Sequence, residues 1–375
     1  MSEWPSFPLV DLVHDRQISY GVVQPGNDSE TGVPIVRVKD VRNGVVDESS
    51  PMRVDEEIIA KHSRTTLAGG ELLLSLVGTV GESAVAQDSL RGWNVARAIA
   101  VIRPVDVSSR WLQLCFESAP IKSEILGVLN TTVQSTLNLA DLKRLQIPVP
   151  PANIRSGIEE VLGALDDKIA ANTKFVDTTF ALAGAHFQRL MAHSREMARL
   201  GDLISLDYGK SLSTTSRVPG PVNVYGSGGI TGTHTTALCS EPGVIVGGKG
   251  TAGAVHWSHG PYFPIDTTYY VSPKSPEISQ VFCYFLLRTL RLDSMNNDSA
   301  VPGLNRNEAH AIPVRVPSKA STIDFTETAT TLFESAAAIE AEIRKLAATR
   351  DALLPQLMSG KLRVKDAEIL VSVAV

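Results

Sequence analysis

The chain is short of cysteine, of long apolar runs and of positive charge, and each shortage removes a class of function. Cys115, Cys239 and Cys283 are the only cysteines in 375 residues. They stand far apart, so they build neither a CxxC zinc knuckle nor a disulfide framework. Lone thiols are the usage of a reducing compartment. No apolar stretch approaches the ~20 residues of a spanning helix, and Met1–Val10 has no basic stretch leading into an apolar run, so no signal peptide is read there. The expectation is a soluble, cytoplasmic protein. Net charge is −5, whereas a chain that holds nucleic acid unaided carries a basic excess. Residues 1–150 carry 14 basic and 18 acidic side chains, and residues 198–317 carry 9 and 8. With 43% hydrophobic and 20% charged residues the chain is nonetheless a folded one. Its length suits two domains plus connecting structure.

Catalytic signatures are missing too. Gly243 to Lys249 starts like a Walker A loop, but Gly250 stands where Ser or Thr must hold magnesium. Gly226-Ser227-Gly228-Gly229 does not fit a nucleophile elbow. The eight histidines form no HExxH site, and His256 and His259 lack further ligands at metal-site spacing. An Asn-Pro-Pro-Tyr motif and an Asp…Glu-x-Lys nuclease cluster are absent. These absences point to recognition or scaffolding, with no metal and no catalytic residue in this chain.

What is present is a duplication. Leu9-Val10-Asp11-Leu12 answers to Leu200-Gly201-Asp202-Leu203, and Tyr20-Gly21 to Tyr208-Gly209. An apolar run entering a glycine turn follows in each copy, Leu72 to Gly81 and Val244 to Gly253, both with Gly-Thr-x-Gly. Amphipathic helices are read at Trp111–Leu126 and Val281–Leu292. Leu137-Asn138 and Leu304-Asn305 come next, and Ile147-Pro148-Val149 and Ile312-Pro313-Val314 close the copies as strands.

A long helix follows each copy. In the first, the stripe runs Ile158, Leu162, Leu165, Ile169, Asn172, Val176, Thr179, Ala183. In the second it runs Leu332, Ala336, Ile339, Ile343, Leu346, Arg350, Leu353, Leu357. Alternating spacings of four and three make a coiled-coil seam, with Asn172 and Arg350 as polar interruptions. Pro150-Pro151 and Pro317-Ser318 mark the starts, and Gly360 the stop. From Ile154 to Leu190 a continuous helix is about 55 Å long. The expected architecture is two α/β (mixed α+β) globular domains, residues 1–150 and 198–317, held apart by antiparallel long helices in 151–197 and 318–375, the latter including a C-terminal tail.

This repeated domain-plus-helix pattern resembles the specificity subunit of type I restriction–modification systems. The resemblance rests on Leu353-Leu354-Pro355-Gln356-Leu357-Met358-Ser359-Gly360-Lys361-Leu362-Arg363-Val364, echoed by Phe187-Gln188-Arg189-Leu190-Met191, and on Val224-Tyr225-Gly226-Ser227-Gly228-Gly229-Ile230 and Lys249-Gly250-Thr251. The first copy keeps Gly78-Thr79-Val80-Gly81 but lacks the Tyr-Gly-Ser-Gly-Gly string. The resemblance implies a non-catalytic, DNA-binding subunit of a system that defends against foreign DNA. Each globular copy would be a target-recognition domain reading one half of a split duplex target, and the helices would set the spacer. Partners would be methyltransferase subunits, two of them, and restriction/translocase subunits. S-adenosylmethionine, ATP and magnesium would belong to these partners. An acidic chain then makes sense, because base contacts specify while phosphate contacts, supplied largely by partners, position.

Candidate base readers are Arg37, Lys39, Arg42, Arg64 and Arg97 in the first copy. In the second they are Lys210, Tyr225, Ser227, Lys249, Thr251 and His256. Arg and Lys pair well with guanine in the major groove. The helix–helix seam is assigned to Ile158, Leu162, Leu165, Ile169 and Val176 against Leu332, Ile339, Ile343, Leu346, Leu353 and Leu357. The competing reading is a coiled-coil adaptor whose globular ends bind proteins.

Overall fold

The computed structural model describes residues 4–42, 44–129, 135–295 and 303–374. In chain order the first copy contains strands β1 (Ser6–Pro8), β2 (Ser19–Tyr20), β3 (Val33–Val36), β4 (Val41–Arg42), β5 (Val45–Val46), β6 (Met52–Val54), β7 (Leu72–Ser75), β8 (Ser83–Val85), β9 (Asn94–Val95), β10 (Ile99–Ile102) and β11 (Gln146–Pro148). Its helices are α1 (Glu56–Ala60), α2 (Ser109–Glu117), α3 (Ala119–Val128) and α4 (Leu139–Arg144), and α5 (Ala152–Ala192) follows. The second copy has β12 (Glu196–Arg199), β13 (Ile204–Tyr208), β14 (Val222–Gly226), β15 (Gly229–His234), β16 (Gly243–Gly247), β17 (Val255–Ser258), β18 (Tyr262–Pro264), β19 (Thr268–Pro273) and β20 (Pro313–Val316). With them come α6 (Leu200–Leu203), α7 (Gln280–Thr289) and α8 (Arg306–Ala311), and then α9 (Lys319–Met358) and α10 (Val364–Ala374).

Two compact units result. One joins Met1–Ile169 to Lys345–Val375; the other is Ala170–Arg344. The duplication read from sequence is a duplication of topology. The first unit has an antiparallel sheet β2-β10-β7-β8, and the second has β13-β19-β16-β17. A smaller sheet, β6-β3-β9 in one and β15-β14-β18 in the other, mixes one antiparallel and one parallel pairing in the same order. The closing strands pair with the opening ones, β11 with β1 and β20 with β12. Central strands β7 and β16 are buried along their whole length, which is why both read as unbroken apolar runs and not as alternation.

Correspondence reaches single hydrogen bonds. Leu76 N–H donates to Ala98 O and Leu137 N–H to Leu76 O; Gly248 N–H donates to Thr267 O and Leu304 N–H to Gly248 O. The glycines of the two Gly-Thr-x-Gly turns share a left-handed backbone, φ 79° and 92° at Gly78 and Gly81, 80° and 81° at Gly250 and Gly253. A side chain is strained there.

The helix read at Trp111–Leu126 is two helices. Ser108 caps α2 by accepting from Trp111 N–H, and the chain turns extended at Ser118 before α3. Pro120, in the first turn of α3, has no N–H to continue α2. In the second copy Ser279 caps α7 in the same way, through Phe282 N–H.

Each unit takes part of each long helix, and the seams are not free-standing. In the first unit Ile158, Val161, Leu162 and Leu165 of α5 meet Leu346, Leu353, Leu354 and Leu357 of α9 in one core with Leu72, Trp111 and Ile147. The residues read as a tail, 364–374, fold as α10 and send Ala367 and Val371 into that core. In the second unit Ala183 and Phe187 of α5 share a core with Phe325, Ala329 and Phe333 of α9 and with Val244 and Phe282. Ring pairs Phe187–Phe325 at 5.5 Å and Phe180–Phe333 at 4.7 Å set the two segments antiparallel.

Leu346, Leu353 and Leu357 of the assigned seam are buried, and in the second unit the most buried line of α9 runs one position over from Leu332. That line is Thr322, Phe325, Ala329, Phe333, Ala336. Leu332, Ile339 and Ile343 lie beside that line, half-buried, and Ile169 of α5 is half-buried against the core of the first unit. Val176 of α5 is buried. Of the two polar interruptions, Arg350 is committed to ion pairs with Asp166 of α5 (2.9 Å) and Glu117 of α2, while Asp166 also pairs with Arg110.

Candidate nucleic-acid interface

One end of each four-stranded sheet gathers the polar and aromatic side chains. In the second unit β13 ends at Tyr208, β16 runs into the 247–253 turn, and the segment 265–268 enters β19. Thr267 is the hub. Its carbonyl accepts from Ser227 Oγ at 2.7 Å, Gly248 N–H at 2.8 Å and Lys249 N–H at 3.0 Å. The Gly226–Gly229 turn is thereby held against the glycine turn, and His256 Nε2 lies 2.9 Å from Ser227 O. Lys210 joins through its N–H to Pro264 O. Lys210, Ser227, Lys249, Thr251 and His256, named from sequence, therefore converge.

Tyr225 is placed differently from its sequence reading. It is 5% exposed, its hydroxyl donates to Trp257 O, and its ring meets Tyr262 at 6.1 Å. It supports the turn from below. Ser227 is likewise buried, acting as a brace. Lys210, Lys249 and Thr251 are exposed.

Sequence reasoning used Tyr208 only as a landmark, yet it is a site residue by position. It is 58% exposed, meets the Tyr269 ring at 4.8 Å with a 49° tilt and carries the Arg306 guanidinium 5.1 Å over its ring. Burial first, then the hydrogen bond with Tyr208, pushes Tyr269 up to about 12. Tyr269 thus stays protonated and donates to Leu304 O at 3.1 Å. The signal for Tyr208 was the glycine beside it. A Cβ on Gly209 would lie 2.2 Å from Ile265 O, so the pair exists to bring two backbones together with a tyrosine at the rim.

The first unit repeats this end. Tyr20 is 48% exposed, and a Cβ on Gly21 would lie 1.8 Å from Val95 O. Lys61, His62, Arg64 and Leu139 line one cavity with Tyr20. Arg97 is exposed on the 96–99 turn, at the same end of the sheet, with its N–H bonded to Val22 O. Arg37, Lys39 and Arg42 are not brought here. Their segment packs along β8, the opposite edge of the sheet from β2, and Gln113 of α2 donates to Gly44 O. Arg37 is also occupied: Nε and Nη2 donate to the Asp40 carboxylate at 2.8 and 3.0 Å, and Nη2 to Ser50 O. Lys39 and Arg42 are exposed.

Among the described residues no cluster of three or more His, Cys, Asp or Glu side chains could hold a metal, and no helix is long and apolar enough to cross a membrane. Each unit offers instead a tyrosine, basic side chains and a tight glycine turn on one rim. Such a rim suits a polyanion with flat bases.

The family model "Type I restriction modification DNA specificity domain" matches residues 1–175. The Type I restriction enzyme EcoBI specificity subunit of Escherichia coli is 28% identical over 151 residues, 40% of this chain. The match spans 32%, about a third, of that relative's length. The S subunit of the type I restriction–modification system from M. genitalium has the same fold, with a TM-score of 0.59 at 17% identity over 95% of this chain and 96% of that one. The HsdS subunit from Thermoanaerobacter tengcongensis aligns at 13% identity over 96% and 97% of the two chains, TM-score 0.39.

The matched domain lies in the first copy, and the second unit repeats that copy's strand order. Over residues 1–175 the chain is similar to type I restriction–modification specificity subunits.

Proposed function

We propose that this chain is the non-catalytic subunit that gives a type I restriction–modification complex its sequence specificity, reading a split duplex target with one half per recognition domain. The readers are residues 1–150 and 198–317; the helices of 151–197 and 318–375 set the unread spacer and dock the partners. Those partners are methyltransferase subunits, two per chain, and restriction/translocase subunits. S-adenosylmethionine, ATP and magnesium are held by them and not by this chain. The observation that carries the reading is the repeated rim. Two units of identical strand order present equivalent tyrosines, Tyr20 and Tyr208, beside non-equivalent basic groups, as two readers of different half-sites must.

Methylome sequencing of cells with and without the chain, its methyltransferase partner present in both, tests this. A split motif methylated only with the chain is the expected result; no such motif overturns the reading. Partner binding indifferent to DNA and salt would instead favour a protein adaptor. Exchanging residues 198–317 for another reader changes one half of the motif. Inserting two heptads in both α5 and α9 lengthens the spacer and leaves both halves intact.

A further inference from the structure

The duplication allows the two rims to be compared position by position. Topology and shared hydrogen bonds align Leu76 with Gly248, Ala98 with Thr267 and Leu137 with Leu304. Val77 then stands where Lys249 is, Gly78 where Gly250 is, and Thr79 where Thr251 is. Asn138 and Asn305 cap α4 and α8 alike, through Asp141 N–H in one and Asn307 and Glu308 N–H in the other. Leu139 therefore matches Arg306.

Two classes of rim position emerge. Tyr20 and Tyr208 are the same residue at the same strand end, both about half exposed. Thr79 and Thr251 are the same residue at the tip of the same left-handed turn, both exposed. Tyr20, Thr79 and Thr251 lie outside the buried cores, Tyr208 sits over the core residue Tyr269, and the constrained neighbours are the glycines. Lys249 and Arg306, by contrast, are replaced by Val77 and Leu139. Arg64 and Arg97 supply charge to the first rim from other segments.

We propose that Tyr20 and Tyr208, with Thr79 and Thr251, make the sequence-independent contact of each reader with the sugar–phosphate backbone, and that Lys249 and Arg306 in one unit and Arg64 and Arg97 in the other discriminate bases. The chemistry fits the split. Neutral hydroxyls and a tyrosine edge hydrogen-bond phosphate and sugar oxygens, which are the same in every sequence. Arg and Lys recognise the acceptor pair of guanine. Residues alike in both units serve what both half-sites share, and residues that differ serve what distinguishes them.

This inference rests on the bipartite reading above, and the experiment separates the two. The chain is assembled with its methyltransferase partner, and the variants Tyr20→Ala, Tyr208→Ala, Thr79→Ala, Thr251→Ala, Lys249→Ala and Arg306→Gln are compared for motif and for affinity at several salt concentrations. If the unaltered complex methylates no split motif, the functional reading itself falls. Given a motif, the Tyr and Thr variants keep both half-sites unchanged and weaken binding to every sequence about three- to tenfold, the worth of one hydrogen bond. Their salt slope is unchanged, because no charge is removed. Lys249→Ala and Arg306→Gln relax the same single half-site. A Tyr or Thr variant that changes the sequence of one half-site overturns the assignment, as does one without effect on affinity. Circular dichroism of Tyr208→Phe, which keeps the ring on Tyr269 and under Arg306, separates loss of the hydroxyl from loss of the rim.

Discussion

Arg350 of α9 and Asp166 of α5 face each other across the first unit, Nε to Oδ1 at 2.9 Å, with Glu117 and Arg110 completing a four-membered charge cluster. The side chains of Arg350, Asp166 and Glu117 are 22%, 27% and 18% exposed. Removing one member of a desolvated pair strands the other charges. Arg350→Ala is therefore expected to destabilise the first unit by about 1–3 kcal/mol, below the fully buried range because water still reaches the cluster. Urea unfolding of single and double variants with Asp166→Ala should give non-additive losses; strict additivity would show that the pair contributes nothing.

The paired glycines make a second test. Gly21→Ala and Gly209→Ala each drive a Cβ into a carbonyl oxygen, Val95 O and Ile265 O. Backbone cannot rotate aside as a side chain can. Each variant should lose about 3 kcal/mol or more, at or beyond the upper end of ordinary overpacking. Thermal unfolding measures it, and an unchanged midpoint would mean that the strands part without cost.

Adjacent residues on α9 separate the two phases of its stripe. Phe333 is 3% exposed and meets the rings of Phe180, Trp257, Tyr284 and Phe285. Phe333→Ala should cost about 3–5 kcal/mol. Leu332→Ala, at a half-buried position, should cost about 1 kcal/mol, roughly one or two CH₂ groups of burial. Equal losses would contradict the observed phase.

His310 ties α8 to β13, its Nε2 accepting from Leu206 N–H at 3.1 Å. Burial, then the charges of Arg306 and Lys274, lower its pKa below the ordinary 6.5, with Asp207 opposing. The neutral ring is the bonded form. Its contribution is present above the unfolded value, near pH 6.5, and is lost as pH falls through the lower folded value. The stability difference between the natural chain and His310→Ala should shrink on going from pH 7.5 to pH 5; a difference that grows would reverse the sign.

Sequence made the duplication legible because its landmarks are backbone requirements. Gly-Thr-x-Gly needs left-handed turns, Tyr-Gly needs close strands, and the closing Ile-Pro-Val strands pair the copies' ends. The phase of α9 was hidden because its first half is rich in Ala and Thr and carries apolar residues on two adjacent lines, so a four–three rhythm fits through Leu332 as well as through Phe333. Residues 364–374 were hidden by brevity, although Gly157, whose Cβ would lie 2.8 Å from the Val364 side chain, is the gap into which α10 fits.

The candidate site divided along similar lines. Lys210, Lys249 and Thr251 converge because glycine turns expose them. Tyr225 belongs to the core although it sits in a polar, glycine-rich string, since strand β14 turns its ring inward. Arg37 was named for its charge, but Asp40, three residues on, consumes that charge in a bidentate pair. Tyr208 was noticed for its neighbour and not for itself, because only the fold puts Arg306 over its ring.

The division of the long helices between units also bears on how the molecule is made. Ala170–Arg344 is one unbroken stretch, whereas the unit that starts at the N-terminus is completed by Lys345–Val375. Leu346, Leu353 and Leu357 belong to the same core as Leu72 and Trp111. On a ribosome, which supplies residues in order, the earlier-made unit waits with its core open while the later one has all its parts. Ala170–Arg344 has all its residues before 345–375 are made, and the first unit is complete only once they have been.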